Sequence, residues 1–138
     1  MDLDVVKEML SSMRKTISKT NLMGQENAES AGTRQLSGIG GQLDFLEGAY
    51  RSPGGKGFIC LASTHKTKDG ELKSNIVPFI PGGATVSGPR GMIQCVATEY
   101  GVAELPGKSL KERAKAMIAI AHPDFREELE RYAFENFK

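Results

Sequence analysis

The stretch Ser37-Gly38-Ile39-Gly40-Gly41-Gln42-Leu43-Asp44-Phe45 joins a glycine-rich loop directly to a segment with helical periodicity. Apolar residues continue at helical spacing through Leu46 and Ala49, so we expect a helix from about residue 42 to residue 50. Glycine permits a positive φ and lets a ligand approach the main chain closely. The first turn of a helix carries unpaired N–H groups that attract anions. The stretch therefore predicts either a small-molecule binding loop or a tight turn between a strand and a helix.

Length and composition indicate one globular domain. The chain has 138 residues, 39% of them hydrophobic and 25% charged, values ordinary for a domain with a sizeable core. A formal net charge of +1 argues against a nucleic-acid partner. No apolar run approaches the roughly 20 residues that cross a bilayer, and the acidic start at residues 1–4 lacks a signal-peptide core. We therefore expect a cytoplasmic protein without a membrane partner.

Local signals divide most of the chain into strands and helices. Apolar runs predict buried strands over residues 58–62 and 92–98, and residues 74–79 predict a further strand. The Asp69-Gly70 pair predicts a hairpin between the runs at 58–62 and 74–79. Ser109 and Glu112 form a capping box before one helix, and Pro123 suits the first turn of a second. We predict an α/β fold: a layered, mostly parallel or mixed sheet with helices on its faces.

The N-terminal part is harder to interpret. Apolar residues over residues 5–13 suggest a short amphipathic helix. Residues 14–31 are polar, so we expect them to hold at most a strand, to bury little, and to form a surface that meets something else.

Two glycine motifs fail as nucleotide sites. The third glycine of a dinucleotide fingerprint would fall at Leu43, which argues against a nicotinamide cofactor. Gly107-Lys108-Ser109 is similar to the end of a phosphate-binding loop, but the spacing from Gly101 is one residue too long. We interpret that segment as a loop followed by a helix cap.

Few side chains suggest chemistry outside the glycine stretch. We expect His122 to cap or pack, and Glu99 to anchor a turn rather than act as a nucleophile. His65 and Lys66 follow a buried strand, where Lys66 either is solvated or contacts a phosphate or an acyl carrier. Cys60 and Cys95 lie in apolar runs and are predicted to be reduced core residues. The further close ligands that a metal site needs are absent, so no metal is expected.

Considered together, several motifs resemble those of the acetyl-CoA hydrolase/transferase family, which includes acetate, butyrate, succinate and 4-hydroxybutyrate CoA-transferases. The resemblance extends in collinear order over about residues 20–135. It rests on the segments at residues 30–34, 38–45, 74–78, 98–103, 107–114 and 120–126.

This resemblance implies the C-terminal α/β domain of the CoA-transferase superfamily, with coenzyme A (CoA) as a thioester substrate. In the family, a glutamate attacks an acyl-CoA to form an acyl anhydride. CoA returns to give a glutamyl-CoA thioester and then passes to an acceptor carboxylic acid. A glycine amide of the loop stabilises each oxyanion. By position, Gly41 is that glycine. Gly38, Ile39 and Gly40 shape the loop against CoA, and Lys66 is a further CoA contact.

The resemblance also implies that the nucleophilic glutamate lies upstream of the region where this sequence begins. Glu99 does not replace it, because the Glu99 motif has a different place in the family pattern. We therefore predict a poorly matched N-terminal segment, residues 1–20, and a C-terminal CoA-transferase domain, residues 21–138. This would be an excised domain or a short reading frame, inactive alone.

Two alternatives stay open. The chain is a stand-alone CoA- or acyl-CoA-binding module without catalysis, or it is a subunit that an N-terminal domain or a partner chain completes. In each case, apolar surface exposed by the missing half favours a homo-oligomer.

Overall fold

The computed structural model describes Asp4 and residues 19–138. The amphipathic helix predicted over residues 5–13 lies outside the described residues. Along the described chain the elements are β1 (Lys19–Asn21), β2 (Glu26–Asn27), β3 (Ser30–Ala31), β4 (Arg34–Gln35), α1 (Gln42–Arg51), β5 (Phe58–Cys60), β6 (Thr64–Lys66), β7 (Leu72–Ser74), β8 (Ile76–Val77), β9 (Cys95–Thr98), β10 (Gly101–Glu104), α2 (Leu110–Ala119) and α3 (Pro123–Asn136).

One mixed sheet forms the apolar centre of the fold, in the order β10-β9-β5. β9 runs parallel to β5 and antiparallel to β10, with Val96 opposite both Ile59 and Ala103. All four residues of β9 are buried, which confirms a buried strand within residues 92–98. The strand begins only at Cys95, because the Met92 and Ile93 amides donate to the Pro89 carbonyl in a turn.

Helices α2 and α3 cover this sheet. α2 packs against β10 and α3 packs against α2, and the buried Met117 and Leu129 join the core. Both predicted helix starts are confirmed. The Ser109 hydroxyl accepts the Glu112 amide at 3.3 Å, and the Glu112 carboxylate accepts the Ser109 amide at 2.8 Å. Pro123 occupies the first turn of α3. The α/β class is thereby confirmed.

A second mixed sheet, in the order β2-β1-β8, has polar residues on β1 and β2 and the apolar Ile76 and Val77 on β8; we call it the polar sheet. Thr20 lies opposite both Glu26 and Ile76, and Asn21 and Asn27 are buried. The expectation that residues 14–31 bury little is wrong for the described part of that segment. The buried asparagines are satisfied by the backbone: the Asn21 carboxamide oxygen accepts two backbone amides, and the Asn27 carboxamide oxygen accepts two more.

Two hairpins complete the fold. β6 pairs with β7 through a turn in which the Gly70 amide donates to the Thr67 carbonyl at 3.0 Å. Gly70 has φ +84°, so this hairpin confirms the Asp69-Gly70 signal. β3 pairs with β4, and the chain leaves β4 directly into the loop before α1.

Candidate functional site

Residues 38–41, hereafter the glycine loop, lie exposed between β4 and α1. Gly40 has φ +58°, a conformation that favours glycine. Among the residues that the structure describes, a Cβ atom placed on Gly38 or Gly40 would meet nothing within 4 Å, and one on Gly41 would meet only Phe45 Cε2, at 3.8 Å. The space beside the loop main chain is therefore open to another molecule.

The loop ends at the N-terminus of α1, where Gly41 is the N-cap residue with φ −88° and ψ 5°. Within the described residues, no side chain caps this end. By contrast, α2 is capped by Ser109 and α3 by the ring nitrogen of His122. Amides at an uncapped helix start, together with the helix dipole, favour a negatively charged oxygen. This end of α1 is thus suited to an anion or to a developing oxyanion.

Three hydrogen bonds fix the approach to the glycine loop. The Leu36 and Ser37 amides donate to the Glu29 carbonyl at 2.8 and 3.2 Å, and the Gln35 carboxamide donates to the Ser37 carbonyl at 2.6 Å. On the far side of the loop, the Gln42 carboxamide donates to the Glu26 carboxylate at 2.5 Å. The loop is therefore held at both ends while its middle stays open.

Apolar side chains surround the loop without being covered. Ile39 is 42% exposed and Phe45 is 82% exposed, whereas Leu46 is the buried residue of α1. A shallow groove of about 390 Å³ runs beside Phe45 and Gly48. This face combines open main-chain donors with apolar surface, as small-molecule sites commonly do.

Lys66 lies apart from the glycine loop, on the β6–β7 hairpin. It is exposed and paired in register with Leu72. Its neighbour His65 is held in the structure, because its Nδ1 atom lies 2.7 Å from the Asn75 carboxamide oxygen. The predicted site residues 38–41 are therefore contiguous in the glycine loop, whereas Lys66 belongs to a separate element, the β6–β7 hairpin.

The remaining candidates have structural contacts. The Glu99 carboxylate accepts the Ser63 amide at 2.9 Å and the Ser63 hydroxyl at 2.5 Å, which confirms its role as an anchor. His122 caps α3 through the Asp124 amide, at 3.2 Å, and packs edge-on against Tyr100. Both predictions for these residues are confirmed.

The two cysteines are free thiols, Cys95 buried and Cys60 half-buried. Burial raises the pKa of both thiols, which keeps them protonated and poorly nucleophilic. Among the described residues, no group of three or more histidine, cysteine, aspartate or glutamate side chains could hold a metal ion. No helix in the described ranges is both long enough and apolar enough to span a bilayer.

Sequence reasoning missed the buried polar cluster beneath the loop. Glu26, Asn27, Ser30 and Ser87 are all buried. Asn27 donates to the Ser30 hydroxyl at 3.0 Å, and the Ser87 hydroxyl accepts the Ala28 amide at 3.0 Å. The available signal was Asn27 followed three residues later by Ser30, residue types that favour local side-chain to main-chain hydrogen bonds.

Known proteins show what this arrangement is similar to. The model of the acetyl-CoA hydrolase/transferase C-terminal domain matches residues 6–133. A probable butyrate:acetyl-CoA coenzyme A-transferase of Syntrophomonas wolfei is 53% identical over 80% of this chain and 25% of its own length. A 4-hydroxybutyrate coenzyme A transferase of Clostridium kluyveri is 50% identical over the same shares. The crystal structure of RipA from Yersinia pestis is 40% identical, with a TM-score of 0.72 over 87% of this chain and 26% of that one.

The chain therefore spans about a quarter of the length of the curated relatives that it matches. The family model matches from residue 6, which lies inside residues 1–20, the segment predicted to match the family poorly. The domain boundary at residue 21 stays a prediction. The chain belongs to the acetyl-CoA hydrolase/transferase family, in which it corresponds to the C-terminal domain.

Proposed function

We propose that this chain supplies the CoA-facing half of a CoA-transferase site. The observation that carries the proposal is the open glycine loop leading into a helix start without a side-chain cap, in a member of this family. The Gly41 amide donates to the carbonyl oxygen of a thioester as that oxygen becomes negative. Gly38, Ile39 and Gly40 shape the loop against CoA, and Lys66 contacts an anionic part of CoA.

The reaction that this half-site serves is a transfer of CoA between a short acyl-CoA and a carboxylic acid. A glutamate carboxylate attacks the thioester carbonyl, and the C–S bond breaks to leave an acyl anhydride and CoA thiolate. The thiolate attacks the glutamyl carbonyl, which releases the first carboxylic acid and forms a glutamyl-CoA thioester. The acceptor carboxylate then repeats the sequence in reverse.

Each attack turns a carbonyl oxygen into an oxyanion, and one preorganised N–H donor is worth a factor of about 10²–10³ in rate. The Gly41 amide lies at the positive end of α1, so the helix dipole adds to its effect. The glutamate itself comes from the N-terminal domain or from a partner chain. We accordingly expect that the 138-residue chain alone does not transfer CoA.

The direct test is calorimetry of CoA binding to the purified chain. Gly41→Val should abolish measurable binding, because the valine side chain occupies the open space beside the loop, and Gly41 has a negative φ, −88°, that does not require glycine. Lys66→Ala should weaken binding about tenfold or less, as expected for one exposed charge contact. Gly91→Val is the matched control. Gly91 is exposed, and a Cβ there would meet nothing within 4 Å.

A thioester-exchange assay with acetate and short acyl-CoAs completes the test. Robust turnover by the chain alone would contradict the absence of the nucleophile. Binding that is unchanged in Gly41→Val would remove the glycine loop from the CoA site. CoA binding without turnover, even after the N-terminal domain of a relative is added, would favour the alternative of a binding module.

A further inference from the structure

Glu26 is a buried carboxylate that the proposed reaction does not use. Its side chain is 2% exposed, within the polar sheet β2-β1-β8. The backbone around it is fixed, because Glu26 exchanges two hydrogen bonds with Gly88, both at 3.0 Å, and accepts the Ser87 amide at 2.8 Å. A carboxylate removed from water is costly unless its oxygens are hydrogen-bonded, so its partners identify its role.

One of those partners is the first residue of α1. The Gln42 carboxamide donates to Glu26 Oε2 at 2.5 Å. The bond joins two elements, because Gln42 belongs to α1 and Glu26 to β2. Gln42 directly follows Gly41, the last residue of the glycine loop. The hydrogen bond therefore reaches from the polar sheet to the residue beside the proposed oxyanion donor.

Within the described residues, helix α1 packs on the body of the protein through an apolar face that includes the half-buried Leu43 and Ala49. Leu46, in its second turn, is its buried residue, while Phe45 and Tyr50 are exposed. An apolar face alone fixes the orientation of a helix less firmly than the same face together with a directional hydrogen bond. The Gln42–Glu26 hydrogen bond provides that directional contact one turn before Leu46, and with the apolar face it fixes the direction in which the first amides of α1 point.

The surrounding packing leaves room for this carboxylate. A Cβ atom on Gly88 would lie 3.1 Å from Glu26 Oε2 and 2.7 Å from Ile93 Cδ1. Any larger residue at position 88 would push on the carboxylate or on the core isoleucine. Gly88 thus allows the carboxylate to sit where Gln42 reaches it.

We propose that Glu26 is a positioning residue, which acts through Gln42 to hold the glycine loop and the first turn of α1 in a fixed orientation. Its catalytic meaning rests on the proposed function, since the loop orientation matters to chemistry only if the Gly41 amide faces a thioester. Its effect on loop order does not rest on that function. The two parts can therefore be tested separately.

The first experiment measures loop order without any ligand. The ¹⁵N–¹H heteronuclear Overhauser effects of Gly38, Gly40 and Gly41 report backbone motion on the picosecond to nanosecond timescale. The test variant is the double substitution Glu26→Met with Gln42→Met, which removes both groups of this hydrogen bond and so leaves neither of the two without the other. We expect the three glycine signals to lose intensity relative to the wild-type chain, while the amides of β9 are unchanged.

Two further variants separate a positioning role from simple loss of stability. Glu26→Gln retains an acceptor for Gln42 and should keep the wild-type loop order. The exchange Glu26→Gln with Gln42→Glu restores a donor and an acceptor and should do the same. Glu47→Gln is the control on α1, because it breaks only an exposed ion pair with Arg51. Unchanged loop order in the double methionine variant would overturn the proposal, as would equal disorder in Glu47→Gln.

The second experiment measures CoA affinity together with the thermal midpoint. The double methionine variant should bind CoA about tenfold more weakly, the loss expected for one charge-assisted hydrogen bond, at a similar midpoint. If the wild-type chain binds CoA and this variant binds equally well, the positioning role is wrong. If the wild-type chain does not bind CoA, the proposed function of the isolated domain fails, and the Overhauser measurement still decides whether Glu26 orders the loop.

Discussion

Gly24 offers the sharpest prediction about stability, because the structure contains a matched control for it. Gly24 has φ +87° and Gly70 has φ +84°. In each turn the glycine amide donates to the carbonyl three residues earlier, at 3.0 Å. The two positions differ in their surroundings. A Cβ on Gly24 would lie 2.6 Å from Leu105 Cδ1 and 3.2 Å from Arg113 Nη1, whereas a Cβ on Gly70 would meet nothing within 4 Å.

Alanine at either position must adopt the left-handed backbone conformation, which costs roughly 1–2 kcal/mol. Gly24→Ala adds overpacking of about 1–3 kcal/mol, since Leu105 is fully buried and cannot swing into solvent. We therefore expect the free energy of unfolding to fall by about 1–2 kcal/mol in Gly70→Ala and by about 2–5 kcal/mol in Gly24→Ala.

Urea unfolding followed by circular dichroism measures both values in one experiment. The slope of the free energy against urea should be the same for the two variants, because the native surface does not change. Equal losses at the two positions would refute the reasoning, since they would mean that Leu105 and Arg113 move aside without cost. A smaller loss in Gly24→Ala than in Gly70→Ala would refute it more strongly.

Three further predictions concern the helix cap, the thiols and the exposed apolar surface. Ser109→Ala should lower the unfolding free energy by about 1 kcal/mol. Hydrogen bonds from the Ser109 amide and hydroxyl lower the pKa of Glu112. Glu112 therefore stabilises the fold above the pKa that it has in the unfolded chain, and this stabilisation is lost as the pH falls through its pKa in the folded state. In Ser109→Ala, the urea midpoint should accordingly fall less steeply between pH 6 and pH 3 than in the wild-type chain. Cys60 and Cys95 should react with a disulfide reagent at pH 8 more slowly than glutathione does, because burial raises the pKa of both thiols; equal rates in a stopped-flow trace would contradict this. With Phe45 82% and Phe134 85% exposed, the purified chain should self-associate at high concentration, and a monomer mass in light scattering at every concentration would exclude this.

Local chemistry predicted the parts of the fold that depend on neighbouring residues. Ser109 and Pro123 mark helix starts through contacts within one turn, and Gly70 marks a hairpin through its own backbone angle. By contrast, the strand at Gly101–Glu104 carries too few strand-forming residues to be recognised, and it exists because β9 pairs with it. β8 lies inside the strand predicted over residues 74–79, but its pairing with β1 and β2 escaped detection for a similar reason. The buried residues of β1 and β2 are polar, and their partners come from distant segments.

The same distinction between local and distant contacts applies to the candidate site. The position of the glycine loop and the start of α1 could be predicted, because glycine spacing and helix periodicity are local. The Glu26–Gln42 contact could not, because nothing near Glu26 in the sequence shows that a helix start will lie against it. The roles of Gly41 and Lys66 stay predictions, and they derive from the resemblance to the family rather than from any spacing.

The parallel pairing of β1 with β8 has a consequence for how the chain folds. Thr20 and Ile76 are neighbours in the sheet, so the whole segment between them, including the glycine loop and α1, is a closed chain loop. Closing so long a loop costs conformational entropy before any contact within the sheet compensates for it. When the complete chain refolds, β1 must find β8 across this loop, whereas α2 and α3 form from adjacent residues. We therefore expect the polar sheet, and the glycine loop tied to it, to be the last part of the domain to become ordered.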